Sequence, residues 1–254
     1  MLNDHKTPRL LAWPETLNTR ELGGYALRDG GSLRWKALVR SENLNLLTPE
    51  GQQALIAYGI RTVIDLRFQS ELDRNPNPFS SSTQSSDETP AFLHIPLDQD
   101  QDLYWHKGTD PAQAMSDLYC RLLETNRGHV ARVLSSAAYA RPGGVLFHCH
   151  AGKDRTGLIA AMILGTLGAS EQDIIADYAY TTPLREERLR QALASAAPKS
   201  KLAFFRTQSS SHSETMQQTL AYLKHNYAGV DGYLRTTGLQ PGDLAALRER
   251  FVER

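Results

Sequence analysis

A chain of 254 residues with 28 basic and 28 acidic side chains has no net formal charge at neutral pH. It is long enough to bury a substantial hydrophobic core, either as one large domain or as two small ones. Because there is no overall field, charge-driven binding to nucleic acid or to a membrane surface is excluded as the general function, and any anion site must be local.

The ends and the cysteine content limit the class of protein further. Residues 1–24 lack the apolar stretch after a basic start that marks a secretory leader, and no run of about 18 apolar residues occurs in the chain. Cys120 and Cys149 are too few for a disulfide framework or a structural zinc site. We therefore expect a cytoplasmic protein with reduced thiols, no metal and no stable membrane insertion, with export without a leader as the alternative.

Strands and helices alternate along the first part of the chain. Short runs rich in β-branched residues predict strands at 37–42, 61–67, 91–97 and 143–149. A Thr-Pro start predicts a helix over 48–59, and a helical pattern interrupted near Asn126 and Gly128 covers 110–140. This order predicts an α/β fold with a central, mostly parallel sheet flanked by helices.

The remainder of the chain is predicted to be helical. Residues 155–168 form an almost wholly apolar run, typical of a helix buried at the centre of a domain, and Gly168 marks its end. Ser170 is a candidate N-cap for the next helix, and further helices are predicted at 215–226 and 240–253. We therefore expect a helix-rich C-terminal half.

Two polar stretches interrupt these elements. Residues 74–90 and 206–214 are rich in Ser, Thr, Asn, Asp and Pro, and they lack the apolar side chains that would offset the entropy of ordering them. We interpret both as surface loops inserted into a single domain that spans residues 1–254.

A dense set of polar residues lies between the last predicted strand and the buried helix. The stretch HCHAGKDRTG, residues 148–157, places Cys149 at the strand end and Arg155 at the helix entrance. A helix N-terminus offers unpaired N–H groups and a partial positive charge, and the small residues Ala151 and Gly152 let several N–H groups converge on one tetrahedral anion. The same field favours a nucleophilic thiolate, and an arginine can bind two phosphate oxygens at once.

The spacing of cysteine, five residues, arginine and threonine resembles the signature of cysteine-based phosphatases. More closely, the chain is similar to the bacterial atypical protein tyrosine phosphatase family, some members of which also hydrolyse phosphoinositides. Further stretches carry the resemblance: LNTRELGGY, VIDLR with Glu71 after it, HIPL, IIADYAYT and YAGVDGYL. The resemblance implies a cysteine-phosphatase-like fold, a phosphocysteine intermediate at Cys149, no cofactor, and phosphotyrosine proteins or phosphoinositides as substrates.

The leaving oxygen of a phosphate ester also needs a proton, so a general acid is expected. Asp154 is the first candidate, because it lies in the loop where the resembled family carries an aspartate, although its neighbours Lys153 and Arg155 favour an ionised carboxylate. Asp98, after a predicted strand, is the second candidate. Asp65 is the third, with a structural pairing to an arginine as the favoured interpretation.

The other loop residues are expected to contact substrate: His150, Ala151, Gly152, Lys153, Thr156 and Gly157. Lys153 could meet a second phosphate of an inositol ligand or hold Asp154. Thr156 is expected to donate its hydroxyl to the Cys149 sulfur. His148, which strand alternation points away from Cys149, is expected to bond the loop backbone and not to activate the thiol.

Several other functions fit this sequence less well. A nucleotide-binding loop needs Gly at the position of Phe147 and Ser or Thr at that of Asp154, and a redox enzyme would favour a second cysteine closer than Cys120. The histidines show no metal-ligand spacing. A phosphoinositide phosphatase and a non-catalytic phosphate-binding scaffold remain as alternatives, and neither the physiological substrate nor the oligomeric state is predicted.

Overall fold

A computed structural model of the chain describes residues 9–80, 89–97, 110–194 and 211–254. Its strands are β1 (Arg20–Glu21), β2 (Ser32–Leu33), β3 (Leu38–Ser41), β4 (Ile60–Asp65), β5 (Ala91–His94), β6 (Gly144–His148) and β7 (Val252–Glu253). Five of them form a sheet in the order β1-β3-β6-β4-β5. Strands β3, β6, β4 and β5 are parallel, and β1 is antiparallel at the edge. Strands β2 and β7 form a separate antiparallel pair.

The helices of the described residues are α1 (Pro49–Tyr58), α2 (Gln69–Arg74), α3 (Pro111–Thr125), α4 (Arg127–Ala138), α5 (Asp154–Leu167), α6 (Glu171–Ala179), α7 (Thr181–Ala194), α8 (Ser213–Tyr227), α9 (Val230–Arg235) and α10 (Pro241–Phe251). The side chains of Thr48, Asp110 and Ser170 accept hydrogen bonds at the starts of α1, α3 and α6. These caps satisfy N–H groups that have no partner inside the helix.

The sheet separates two hydrophobic layers. Alternation along the strands turns Leu38, Ile64 and Phe147 towards the large cluster that contains α5 and the C-terminal helices. Val39 and Leu146 face the opposite, smaller cluster, which packs against α1. Helix α5 lies inside the large cluster and is buried along almost all of its length, so its N-terminus is held rigidly at the edge of the sheet.

The architecture confirms the predicted α/β fold with a mostly parallel sheet. The four predicted strands correspond to β3, β4, β5 and β6, each shorter by one to three residues at an end. The helical pattern over 110–140 divides at Asn126, which ends α3 and precedes α4. The predicted buried helix is α5, and Gly168 ends it in the left-handed conformation, with φ of 97°.

The polar stretches differ from the prediction of plain surface loops. Within 74–90, Asn77 and Phe79 are buried, and Phe79 belongs to the smaller hydrophobic cluster. Residues 81–88 and 206–210 lie outside the described residues, and α8 already begins at Ser213. The burial of Phe79 follows from its being the one large apolar side chain in an otherwise polar segment. No helix within the described ranges is long and apolar enough to span a membrane.

Candidate active site

The candidate site lies at the carboxyl edge of the parallel sheet. Strand β6 ends at His148, between Ser41 at the end of β3 and Asp65 at the end of β4, which are its register partners. Cys149 follows β6 directly, and α5 begins at Asp154. The loop between these elements therefore opens where ligands collect in open α/β sheets.

The loop backbone is turned so that its carbonyl groups face outwards. The Cys149 carbonyl oxygen accepts a hydrogen bond from His148 Nδ1 (3.0 Å), and that of His150 accepts one from Asn43 N (3.0 Å). The carbonyl oxygen of Ala151 accepts from Asn18 Nδ2 (2.9 Å), and that of Gly152 accepts from Arg40 Nη2 (2.7 Å). In contrast, the N–H groups of residues 150–152, 154 and 155 donate to no other group within the described ranges. Backbone donors are seldom left unpaired, and an anion is the kind of ligand that such a half-ring of N–H groups can bind.

Gly152 permits this turn. Its φ is +65°, and a Cβ atom at this position would lie 2.6 Å from the carbonyl oxygen of Ser41 and 2.8 Å from the nitrogen of Glu42. Any side chain would therefore meet both the left-handed backbone penalty and a clash with the end of β3. The glycine lets the loop pack directly against the neighbouring strand.

Arg155 is fixed beside the loop by a carboxylate and an aromatic ring. Its Nη1 and Nη2 donate to Glu71 Oε2 and Oε1 at 2.5 and 3.0 Å, and its Cζ lies 4.4 Å from the Phe68 ring centroid. Burial alone lowers the pKa of Arg155, but the hydrogen bond to Glu71 outweighs it and raises that pKa, so the guanidinium stays charged. Since Glu71 occupies the Nη1–Nη2 edge, the Nε–Nη2 edge is left for an oxyanion.

Asp154 and Lys153 lie together at the start of α5. Lys153 Nζ is 3.6 Å from Asp154 Oδ1, and its side chain is only 3% exposed. The same Oδ1 atom accepts a short hydrogen bond from the hydroxyl of Tyr119. Of the two predicted positions for Lys153, the structure shows the one beside Asp154.

Asp65 supports the loop from behind. It lies in an ion pair with Arg67, with Nη2 2.7 Å from Oδ2, and accepts a further bond from Asn77 Nδ2 at 3.3 Å. Burial alone raises the pKa of Asp65, but the hydrogen bonds and the charge of Arg67 outweigh it and hold that pKa below its ordinary value. An acid this strong holds no proton to donate at neutral pH, which agrees with the structural interpretation. Asp98 lies outside the described residues.

His148 takes the position expected for it. Its Nδ1 lies 3.0 Å from the Cys149 carbonyl oxygen, and its Nε2 lies 2.8 Å from Asn77 Nδ2. Burial lowers the pKa of His148, so we assign a neutral ring with the proton on Nδ1. The ring orients the loop backbone and does not face the thiol.

Other predicted contacts differ in the structure. The Thr156 hydroxyl has no hydrogen-bond partner among the described residues, including the Cys149 sulfur. The N–H of Gly157 donates to the Lys153 carbonyl at 2.8 Å, so it belongs to the helix and not to the anion site. His150 is an exposed residue at the mouth of the loop. Its ring is still partly shielded from solvent, and this lowers the pKa of His150, although the charge of Glu71 acts in the opposite direction.

The two cysteines are both free thiols. Cys149 is buried, whereas Cys120 is half-buried on α3. Burial raises the pKa of Cys120 to about 11, so it stays a thiol at neutral pH. Of the two, Cys149 is the one that lies in the loop between β6 and α5.

A buried charge cluster joins β1, β3 and α6 to the loop. Asp177 accepts from Arg20 Nε at 2.8 Å and also pairs with Arg40, whose Nη2 donates to the Gly152 carbonyl. All three side chains are almost completely buried. Burial alone raises the pKa of Asp177, but the two guanidinium groups lower it, so the carboxylate stays ionised and holds both arginines.

Replacing Asp177 by Asn is expected to destabilise the protein by about 3 to 5 kcal/mol, because two buried guanidinium groups lose their counter-charge. Urea unfolding of wild type and variant measures this difference. Glu171→Gln is the matched control, since Glu171 is an exposed acid on the same helix; it should change stability by no more than about 0.5 kcal/mol. Equal stabilities for the two variants would contradict the supporting role of the cluster.

Sequence reasoning missed several residues of the site. Tyr119, Arg40 and Asn18 were not assigned to the site, and Glu71 was noticed only as part of a resembling stretch. Asp177 did carry a signal, because a charged residue on the same helical face as Ile174 and Tyr178 is placed to be buried. The others come from distant segments and are brought to the loop by packing alone.

A nucleophilic thiol position, a half-ring of N–H donors and a fixed guanidinium on an α/β sheet define the class: this is a phosphatase hydrolase. The comparison with family models agrees, since the model described as the tyrosine phosphatase family matches residues 11–253. The chain therefore belongs to the tyrosine phosphatase family.

Individual relatives are distant but cover most of the chain. A tyrosine-protein phosphatase of Nostoc commune is 28% identical over 85% of this chain and 74% of its own length. The triple specificity protein phosphatase PtpB of Mycobacterium tuberculosis is 26% identical over 90% of this chain and 97% of its own length. The crystal structure of P. aeruginosa TpbA covers 81% of this chain and 89% of its own, with 18% identity and a TM-score of 0.37.

Proposed function

We propose that the protein is a cysteine-dependent phosphomonoester hydrolase acting mainly on phosphotyrosine, through a phosphocysteine intermediate. The observation that carries the proposal is the orientation of the loop that holds Cys149: its carbonyl groups are tied outwards, while the N–H groups of residues 150–152, 154 and 155 donate to no other group within the described ranges. Such a loop binds three phosphate oxygens and leaves phosphorus facing the sulfur.

The reaction proceeds in two displacements. In the first, Cys149 Sγ attacks phosphorus, the bond from phosphorus to the ester oxygen breaks, and Asp154 protonates the departing oxygen. In the second, Asp154 accepts a proton from water as the water oxygen attacks phosphorus, so the sulfur–phosphorus bond breaks and the thiolate is restored. Arg155 binds the equatorial oxygens in both steps through its Nε–Nη2 edge.

Two features favour a single-phosphate substrate such as phosphotyrosine over a phosphoinositide. Lys153, the candidate contact for a second phosphate, is buried against Asp154. The family match and the Nostoc relative both carry the name tyrosine phosphatase. The PtpB relative is named a triple specificity phosphatase, which makes phosphoserine and a phosphoinositide the comparisons to include.

The test is phosphate release in the presence of EDTA from a phosphotyrosine peptide, a phosphoserine peptide and a phosphoinositide. We expect release from the phosphotyrosine peptide to be fastest, by about 10-fold or more in kcat/KM. Faster release from the phosphoinositide would favour the lipid phosphatase alternative. Release from none of the three, with phosphate binding retained, would favour the non-catalytic scaffold.

We also propose that the chain forms one phosphatase domain. The extent of the family match, residues 11–253, supports this. The cytoplasmic location stays a prediction.

A further inference from the structure

Asp154 is held by a pair of buried tyrosines. The hydroxyl of Tyr119, on α3, donates to Asp154 Oδ1, and the hydroxyl of Tyr178, on α6, lies 2.7 Å from that of Tyr119. The two rings meet edge to face, with centroids 6.0 Å apart and planes at 87°. Both side chains are fully buried, so this arrangement is a fixed part of the core.

The pair is anchored to the first turn of α5. A Cβ atom placed on Gly157 would lie 2.9 Å from Tyr178 Cδ2, which shows that the Tyr178 ring lies directly on the helix backbone. Only glycine allows this approach. The Tyr178 ring therefore packs directly against the helix that carries Asp154.

The hydrogen bond also distinguishes the two oxygens of the carboxyl group. Oδ1 contacts both the Tyr119 hydroxyl and Lys153 Nζ, whereas no described residue donates to Oδ2. Burial and then the charge of Asp154 raise the pKa of Tyr119, so its hydroxyl keeps its proton and can only serve Oδ1 as a donor. A proton on Asp154 is thereby directed to Oδ2.

We infer that Tyr119, supported by Tyr178, is a positioning residue that holds Asp154 so that Oδ2 transfers the proton to the leaving oxygen and later accepts one from water. This rests on the proposed function, because it requires Asp154 to be the general acid. Tyr119 touches neither substrate nor phosphorus and acts only through Asp154.

The test compares kcat/KM for a phosphotyrosine peptide, whose leaving group needs a proton, with that for p-nitrophenyl phosphate, whose leaving group departs well without one. Asp154→Asn should lose about 100-fold on the peptide and far less on p-nitrophenyl phosphate. Tyr119→Phe should lose about 10-fold on the peptide and less than about 2-fold on p-nitrophenyl phosphate. Tyr119→Phe should have no further effect in the Asp154→Asn background.

Tyr233→Phe is the matched control. It also removes a buried hydroxyl, which donates to the Leu123 carbonyl at 2.7 Å, but this hydroxyl makes no contact with the loop. We expect wild-type kinetics on both substrates from this variant. Tyr178→Phe, which keeps the bond from Tyr119 to Asp154, should lose less than Tyr119→Phe on the peptide and also spare p-nitrophenyl phosphate.

The outcomes separate this inference from the proposed function. An inactive wild-type protein would overturn the proposed function itself. If the wild type is active, Tyr119→Phe could lower kcat/KM equally on both substrates, or lower it further in the Asp154→Asn background. Either result would show a general structural role for Tyr119 and overturn the inference. The inference would also be overturned if Tyr119→Phe kept wild-type activity on the peptide. The same holds if Asp154→Asn lost as much activity on p-nitrophenyl phosphate as on the peptide.

Discussion

Replacing Cys149 by Ser should abolish turnover, with a loss in kcat of about 10⁴-fold or more on a phosphotyrosine peptide. A serine hydroxyl is almost fully protonated at neutral pH and is a poor nucleophile without a neighbouring base. His148 cannot serve as that base, because its Nδ1 is bonded to the Cys149 carbonyl and its Nε2 lies beside Asn77. His148 therefore cannot activate the serine oxygen.

The same variant should still bind the phosphorylated peptide. The outward hydrogen bonds of the loop carbonyls do not involve the sulfur, so the N–H half-ring and Arg155 keep their positions. Titration calorimetry with the phosphotyrosine peptide measures this binding, and a rapid assay of phosphate release measures turnover. Cys120→Ser is the control and should behave as wild type. An active Cys149→Ser enzyme would disprove the assignment of the nucleophile.

The sequence predicts Cys149 and Arg155 as site residues because both lie within one short stretch between a strand and an apolar helix. The chemistry of that stretch depends on local backbone conformation, which residue order largely determines. Gly152 belongs to the same class, since a small residue in such a loop indicates a tight turn. The fold class follows equally well from the alternation of strands and helices.

The residues that position this loop could not be predicted in the same way. Glu71 reaches Arg155 from α2, and Tyr119 reaches Asp154 from α3, both through contacts set only when the layers pack together. No periodicity encodes which buried hydroxyl will face which carboxylate. The hydroxyl of Thr156 shows the converse case, because its expected bond to Cys149 follows from proximity in sequence but is not formed in the structure.

The dependence of Arg155 on Glu71 determines what its replacement by Lys should do. A guanidinium can bind Glu71 through one edge and phosphate oxygens through another, whereas a single ammonium group cannot satisfy both in fixed planes. The Phe68 ring, 4.4 Å from Cζ, further selects a flat cation. Arg155→Lys is thus expected to keep the charge but lose the geometry on which transition-state binding depends.

We expect Arg155→Lys to lower kcat/KM for the phosphotyrosine peptide by about 10²- to 10³-fold, since the lost contacts strengthen as charge builds on the phosphate oxygens. Steady-state kinetics measures this loss, and circular dichroism checks that the variant is folded. Arg190→Lys, an exposed change on α7, should have no effect. Glu71→Gln should cost less than Arg155→Lys, because the guanidinium remains while one charged partner is weakened. Near-normal kinetics for Arg155→Lys would show that positive charge alone suffices at this position. It would refute the proposal that the guanidinium binds Glu71 through one edge and phosphate through another.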